Sequence, residues 1–396
     1  MRKNGINREL SPVDGGVCAP AGFRANGVVC LGGEKLSIVL TDGRYPAAFA
    51  YTAQGVCGAP VQYTKNRLKS GYARAIVVNG GSANIGDGAK PAIEKLCLAV
   101  SNAAKIPENE IAVASTGVIG KIMRAETVLP SVSELINGAA ASGEKSLTAA
   151  QNLTTHDGVG KQLSFSFQLG DFTCKIGAIF KGNKRVCPNM ATFLCFFTTD
   201  VNISSEMLQK ALIAATSDTF NQLDIDGVSS PNDTAGIVAS GFAGNCKIDR
   251  ADGEYDKFTF ALRQAATRVC LAIAEDNGER AFSCVVTGAR SKSAARTIAK
   301  SVVGAFSIKR ALAQNGVDTD DVLCSACCGY EKADMQKITL AVGSENGKLT
   351  LFENGERIDL TNAAQSRVLS GKNLVISLDL GAGNYTATAI GRADII

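Results

Sequence analysis

The chain has 396 residues, of which 45% are hydrophobic and 20% are charged, a balance typical of folded globular proteins rather than disordered or fibrous ones. Its 41 basic and 37 acidic residues give a formal net charge of +4. Because they are mixed along the chain, they form no basic patch for nucleic acid or anionic lipid. The N-terminal residues lack a signal-peptide apolar stretch, and no run of about 18 apolar residues occurs. We therefore expect a cytoplasmic protein of one or two domains that binds neither nucleic acid nor membranes.

Apolar runs of two periodicities predict a mixed α/β or α+β architecture. Buried strands are expected at 74–79 and 111–115, with a helix around 92–104 between them. A strand at 163–169 and a partner at 174–180 predict a hairpin across Gly170 and Asp171. The apolar run 193–197 predicts a buried strand that begins at residue 192. A helix is expected to follow from about residue 204.

The second half is predicted to carry a mixed sheet and helices of its own. The expected helices are 258–274 and 293–303, and the expected strands are 338–342, 349–352 and 374–380.

Cysteine and histidine usage narrows the chemistry. The 13 cysteines are scattered through a large chain, so reduced, mostly buried thiols are expected rather than disulfides. One cluster, Cys324 to Cys328, lacks a second pair at ligand spacing, so small apolar filler is favoured and no metal is expected. The single histidine, His156, lies in a polar turn, which disfavours a histidine-based nucleophile.

Three turns rich in glycine or small residues follow predicted strands: 79–84, 115–120 and 226–234. Such turns can aim backbone N–H groups at a ligand. None matches a phosphate loop or a dinucleotide fingerprint in a convincing context, and each turn taken alone is ordinary turn chemistry.

Taken in order, several segments resemble the ornithine acetyltransferase family of arginine biosynthesis, whose precursors cut themselves before a threonine and use it as nucleophile. The resemblance runs from about residue 15 to 310. The matching segments are Cys18 to Gly27, Arg74 to Asn84, Ala114 to Gly120, Lys181 to Gly182, Pro188 to Thr192, Thr198 to Asp200 and Pro231 to Thr234.

The resemblance implies a layered sandwich of sheets and helices with a smaller C-terminal α/β lobe. It also implies self-cleavage between Ala191 and Thr192, giving an N-terminal segment 1–191 with an oxyanion loop and a C-terminal segment 192–396 that begins with the nucleophile. The two segments are expected to stay associated in a hetero-oligomer. The site residues implied are the nucleophile Thr192, the oxyanion pair Thr116 and Gly117, the substrate contacts Lys181 and Glu279, and a threonine of the pair Thr154 and Thr155.

The implied reaction moves an acetyl group from N2-acetylornithine to glutamate through an acetyl-threonine ester. The freed α-amino group, with an ordinary pKa near 8, would act as base for its own hydroxyl, so no histidine is needed. No cofactor is implied, although some relatives use acetyl-CoA as co-substrate.

Two departures concern the substrate shell. The family's Asp-Pro-Asn-Trp-Gly-Arg segment has no counterpart after the helix ending near Ala313, where Gln314 to Asp318 follows directly, and the chain contains no tryptophan. The family's C-terminal Asn and Thr contacts, which follow the strand resembling 384–390, also have no counterpart. Three outcomes stay open: an ornithine acetyltransferase with a reshaped pocket, a self-cleaving acyltransferase or amidohydrolase of different substrate, and a non-catalytic homologue.

Overall fold

The structure is a computed structural model that describes residues 10–154, 160–182, 186–187, 193–276, 280–327 and 334–393. The chain folds as two compact units that alternate along it. The first comprises Met1–Gly182, Asn189–Thr216 and Ser229–Val269, and the second comprises Asn183–Pro188, Ser217–Val228 and Cys270–Ile396. Division of the chain at 191/192 concerns cleavage rather than folding, and it stays a prediction.

The secondary structure alternates between strands and helices throughout. The strands are β1 (Ser11–Pro12), β2 (Phe23–Val29), β3 (Lys35–Tyr51), β4 (Tyr72–Ser82), β5 (Ile111–Val118), β6 (Lys161–Leu169), β7 (Phe172–Lys181), β8 (Leu194–Thr199), β9 (Leu223–Asp224), β10 (Thr234–Ala239), β11 (Arg280–Ala289), β12 (Thr339–Ser344), β13 (Gly347–Glu353), β14 (Glu356–Arg357), β15 (Leu374–Asp379) and β16 (Tyr385–Ala393). The helices are α1 (Ala59–Arg67), α2 (Ala89–Ala104), α3 (Ala125–Val128), α4 (Val132–Asn137), α5 (Gly143–Asn152), α6 (Ser205–Asp218), α7 (Gly253–Ala274), α8 (Lys292–Gly304), α9 (Phe306–Ala313), α10 (Thr319–Cys327) and α11 (Asn362–Leu369).

Strand β3 organises the first unit because it belongs to two sheets. Its first part pairs with β2 and β4, the register shifts between Leu40 and Tyr45, and its last part pairs with β10. One sheet therefore contains β2, β3, β4 and β5, and the other has the order β1-β6-β7-β8-β10-β3. The two sheets face each other, because Ile76 and Val78 of β4 share one buried cluster with Ile179 of β7 and Phe196 of β8.

Helices cover the outer faces of this sandwich. On one side, Ile93 and Leu96 of α2 pack in a cluster with Val77 of β4 and Val113 of β5. Strand β4 is apolar on successive residues because both of its faces are covered, one by the other sheet and one by helices. On the other side, Phe258 of α7 packs against Phe167 of β6, with ring centroids 6.5 Å apart. The layered sandwich of sheets and helices expected for this part of the chain is confirmed.

The second unit is built on a sheet with the order β14-β13-β12-β15-β11-β16-β9. Strand β11 is central, since it pairs in parallel with β15 and antiparallel with β16. Helix α8 packs on this sheet through Ile298 and Val302, which lie in one buried cluster with Phe282 and Ile376. The mixed sheet predicted for the second half of the chain is confirmed.

Several predicted elements are found at or near their expected positions. The hairpin of β6 and β7 closes across Gly170 and Asp171, with Leu169 paired to Phe172. The predicted strands and helices from 193 onward correspond to β8, α6, α7, α8, β12, β13 and β15. Within the described ranges, we find no helix with the length and apolarity that a membrane crossing requires.

The cysteine expectation is met only in part. Six described cysteines are buried: Cys30, Cys97, Cys174, Cys195, Cys270 and Cys284. The others are partly or fully exposed, and Cys324 and Cys327 are exposed on α10. The expectation of mostly buried thiols was therefore too strong, because small side chains on the outer face of a short helix have no core to enter. His156 lies outside the described residues.

Candidate active site

The first unit brings the ends of two strands from different sheets into contact. Lys181 is the last residue of β7, and Thr116 lies near the end of β5. The Nζ of Lys181 donates a hydrogen bond of 2.7 Å to Oγ1 of Thr116. Two residues chosen from the sequence and separated by 65 positions thus meet at one end of the sandwich.

The direction of this hydrogen bond constrains the Thr116 hydroxyl. An ammonium group has only donors, so Oγ1 of Thr116 must be the acceptor, and its own proton is left to point elsewhere. An adjacent cation polarises the hydroxyl and strengthens it as a donor. Thr116 is only partly buried, so a ligand oxygen can reach it. The arrangement is suited to stabilising a developing negative charge.

Gly117, the next residue, lies so close to the neighbouring strand that no side chain would fit at this position. Its φ is +144°, and a Cβ built on it would lie 2.3 Å from the carbonyl carbon of Gly81. Gly117 pairs with Gly81, and Thr116 with Gly80, in the parallel ladder of β5 and β4. The two glycine-containing turns singled out in the sequence therefore lie side by side, and the close approach explains why both contain glycine.

A buried polar network fixes these turns. Asn84, which has a φ of 55°, donates through Nδ2 to Oδ1 of Asn79 at 2.9 Å and to Oγ of Ser115 at 2.8 Å. Its Oδ1 accepts from the backbone N–H of Met123 at 2.8 Å. The network ties the ends of β4 and β5 together next to Thr116, so this segment is held by side chains as well as by the ladder.

Glu34, the residue before β3, holds the turn at the end of β4, and the sequence analysis does not identify it. Its carboxylate accepts from Nδ2 of Asn79 at 2.8 Å and from Oγ of Ser82. It also pairs with Lys121, with the charged atoms 3.2 Å apart. Only 5% of Glu34 is exposed. No sequence signal distinguishes this glutamate, because its hydrogen-bond partners Asn79 and Ser82 are 45 and 48 positions away and meet it only through the β3–β4 ladder.

Thr154 lies close to this end of the sandwich. Its backbone oxygen accepts from Nζ of Lys35 at 3.0 Å, and Lys35 pairs with Gly80. The Thr154 hydroxyl donates to the backbone oxygen of Gln151 at 2.7 Å, so its proton is engaged at the end of α5. The remaining predicted site residues, Ala191, Thr192, Thr155 and Glu279, lie outside the described residues.

The starts of β8 and β10 complete the described part of the site. Leu194 pairs with both Lys181 and Thr234, and the Thr234 N–H donates to the Phe193 oxygen at 3.2 Å. Asp233 precedes β10 and is 4% exposed. Burial raises its pKa well above the ordinary value, opposed by hydrogen bonds from the Ser230 and Phe193 backbone and by the Lys181 charge. The Pro231 to Thr234 segment is part of the family resemblance, but the sequence alone does not identify Asp233 as a site residue.

The described residues contain no group of three or more histidine, cysteine, aspartate or glutamate side chains that would hold a metal ion. A polarised hydroxyl, a side-chain-free glycine and a lysine converge instead. Such groups are suited to acyl transfer, in which donors are placed where a carbonyl oxygen gains charge.

Comparison with known proteins agrees with this class. A model of the ArgJ family matches residues 23–394. An arginine biosynthesis bifunctional protein ArgJ from Symbiobacterium thermophilum is 36% identical, with 95% of each chain covered. The corresponding protein of Staphylococcus epidermidis is 34% identical, with 96% of each chain covered. The chain belongs to the ArgJ family.

A solved structure is also similar. It is ornithine acetyltransferase of Mycobacterium tuberculosis, complexed with ornithine. It is 30% identical, covers 47% of this chain and 98% of that one, and has a TM-score of 0.41.

Proposed function

We propose that this protein transfers an acetyl group from N2-acetylornithine to glutamate, through an acetyl ester on Thr192, as an enzyme of arginine biosynthesis. Its ArgJ relatives are arginine biosynthesis bifunctional proteins, and the match covers almost the whole chain. The observation that carries the proposal is the 2.7 Å hydrogen bond from Lys181 to Thr116. It joins a charge-stabilising donor on β5 to the end of β7, and β7 pairs with the strand that begins just after residue 193.

The chemistry follows from these positions. The free α-amine of Thr192 takes the proton from its own hydroxyl, and the Oγ attacks the acetyl carbonyl carbon. The carbonyl electron pair moves to oxygen, where the Thr116 hydroxyl and the backbone of Gly117 stabilise it, at about 3 kcal/mol per donor. The C–N bond then breaks, ornithine leaves with the proton, and the glutamate amine attacks the resulting ester in the reverse sense.

Substrate contacts complete the proposal. We assign to Lys181 and to a threonine of the pair Thr154 and Thr155 a contact with the acyl donor, and to Glu279 a contact with a substrate amine. Because the Thr154 hydroxyl already donates to Gln151, Thr154 would serve a ligand as acceptor rather than donor. Replacing Glu279 with Gln should raise KM for N-acetylornithine more than it lowers kcat, and an unchanged KM would contradict this assignment.

Self-cleavage is tested by denaturing mass spectrometry of the purified chain. Two fragments divided between Ala191 and Thr192 are expected, and the Thr192→Ala chain should stay intact. Thr173→Ala, at an exposed threonine at the start of β7, is the matched control and should cut normally. A parent chain that remains uncut would overturn the assignment of Thr192.

The reaction type is tested by supplying N-acetylornithine with and without glutamate. Acetylglutamate formation in step with ornithine release supports transfer. Free acetate formed at the same rate whether glutamate is present or absent would instead identify a hydrolase, the alternative raised by the altered substrate shell.

We further propose that no resident cofactor takes part and that acetyl-CoA is at most a second acetyl donor. Dialysed enzyme should therefore keep full transfer activity with N-acetylornithine. Release of free coenzyme A from acetyl-CoA and glutamate would establish the second donor. Loss of activity on dialysis, restored by a small molecule, would contradict the proposal.

We also propose that segments 1–191 and 192–396 stay associated after cleavage. Strands on both sides of the cut pair in one sheet, since β8 lies between β7 and β10. Gel filtration followed by denaturing electrophoresis should give both fragments in one peak, and separate elution of the two would refute this.

A further inference from the structure

Two parallel strands begin side by side where the chain enters β8. Leu194 is in register with Thr234, and the Thr234 N–H donates to the Phe193 oxygen at 3.2 Å. Asp233 therefore lies next to Phe193 at the start of the neighbouring strand. Thr192 is bonded directly to Phe193, and consecutive Cα atoms are about 3.8 Å apart. Asp233 is thus an acidic residue beside Phe193, the residue that follows Thr192 in the sequence.

Asp233 is held in place by its backbone and its neighbour. Its backbone oxygen accepts from the Thr52 N–H at 3.0 Å, and Nδ2 of Asn232 donates to the Ala83 oxygen at 2.6 Å. These bonds connect Asp233 to β3 and to the turn beside Thr116. The carboxyl itself accepts hydrogen bonds from the Ser230 and Phe193 backbone, which keep it at the start of β8.

One oxygen of the Asp233 carboxyl makes no hydrogen bond within the part of the chain that the structure describes. That oxygen, Oδ2, is buried, and only 4% of the residue is exposed. An unpaired buried polar atom costs stability, so its retention calls for an explanation in function. Burial also raises the pKa of the carboxyl, which makes its ionised form a stronger base.

The uncut chain poses a chemical problem that the mature enzyme does not have. Before cleavage the nitrogen of Thr192 is an amide, so it cannot act as base for the Thr192 hydroxyl. We propose that Asp233 carries the proton during self-cleavage, taking it from Oγ of Thr192 and returning it to the Thr192 nitrogen. This inference rests on the proposed function, because it assumes that Thr192 is the self-liberated nucleophile.

The step balances without a co-reactant other than water. The Thr192 O–H bond breaks, the proton goes to Oδ2 of Asp233, and Oγ bonds to the Ala191 carbonyl carbon while the carbonyl electron pair moves to oxygen. When that pair returns, the C–N bond breaks, and the nitrogen keeps the bonding pair and takes the proton from Asp233. Water then hydrolyses the ester, adding its hydroxyl to Ala191 and its proton to Oγ.

Loss of the Asp233 carboxyl should affect the rate of self-cleavage more than the rate of acetyl transfer. Once the α-amine is free, it serves as base during acetyl transfer, so Asp233 matters most before the cut. Cell-free synthesis of the full chain, followed by gel electrophoresis over time, measures cleavage from the moment of folding. Asp233→Asn, which keeps the shape, should slow cleavage at least about 100-fold, the lower range for a lost proton-transfer group.

Asp200 provides a matched control. It is also a buried aspartate whose pKa is raised by burial, it lies just after β8, and its Oδ1 accepts from the Lys175 N–H at 2.7 Å. Asp200→Asn should be cut at the parent rate. If Asp233→Asn is also cut at the parent rate, the inference is wrong, while a parent chain that is never cut defeats the proposed function instead.

A second pair of variants decides the matter if Asp233→Asn fails to fold. Asp233→Glu and Asp233→Gln have side chains of equal length, so they disturb packing equally, but only the first keeps a carboxyl. We expect measurable cleavage of the Glu variant and an intact Gln variant. For the Glu variant, cleavage should fall further than acetyl transfer per cut chain, which a purely structural defect would not produce. Equal cleavage of the two variants would overturn the role of the carboxyl.

Discussion

The hydroxyl of Thr116 is the group whose removal tests the site most directly. Thr116→Val keeps the β-branched shape but removes the oxygen that accepts from Lys181 at 2.7 Å. Because that ammonium occupies the acceptor side, the hydroxyl proton is the part available to the substrate. Its loss should raise the barrier for acetyl transfer by about 3 kcal/mol, which corresponds to a fall in kcat of roughly 100-fold.

The assay is acetylglutamate formation from N-acetylornithine and glutamate, with kcat expressed per cut chain by mass spectrometry. Thr116→Ser is the control, since it keeps the hydroxyl and should retain kcat within about tenfold. Similar melting temperatures of the two variants would show that the difference is chemical. If Thr116→Val retained kcat within about threefold of the parent, the assignment of the hydroxyl as oxyanion donor would be refuted.

Three further predictions concern glycine, a buried ion pair and a buried acid. Gly117→Ala should lower the melting temperature and activity more than Gly120→Ala, because both have positive φ but only the first Cβ would clash; equal losses would contradict the clash. Lys309→Met should cost about 3 kcal/mol of unfolding free energy in urea titrations by leaving Asp224, 2.8 Å away, buried without its cation, and adding Asp224→Asn should recover part of it. For Asp200, whose folded pKa is raised by burial, the stabilising contribution is complete below the unfolded pKa near 3.9 and is lost as pH rises through the folded pKa. The stability of Asp200→Asn relative to the parent should therefore increase from pH 4 to 7, and a flat difference would contradict it.

Elements with strong local patterns were predictable. The alternation of 163–169 predicts a half-buried strand, and the turn at Gly170 and Asp171 predicts its hairpin partner, so both were located from neighbouring residues alone. Strand β11 was not predicted, because Arg280–Ala289 mixes small and polar residues with only a short apolar run. Its central place in the sheet comes from partners about 90 to 110 residues later in the chain, which no local window contains.

The residues of the candidate site also fall into two groups, those that the family resemblance identifies and those that only the structure reveals. Motif resemblance selected Thr116, Gly117 and Lys181, and the structure places Lys181 against Thr116. Neither periodicity nor composition would have selected them, since a threonine and a lysine at strand ends are ordinary residues. Glu34 could not have been selected at all. Its importance comes from the pairing of β3 with β4, which brings the Asn79 turn to the carboxylate.

Lys181 links the two chemical stages that the protein is proposed to perform. Its charge is one of the influences that lower the pKa of Asp233 against the effect of burial, so it favours the ionised carboxyl that self-cleavage needs. The same ammonium donates to Thr116 and thereby polarises the hydroxyl that acetyl transfer needs. A neutral side chain of similar length would leave less of the Asp233 carboxyl ionised before the cut, and it would weaken the proposed oxyanion donor after it. A cation at the end of β7 would therefore serve both proposed reactions, because the ends of β5 and β7 lie close to the start of β10.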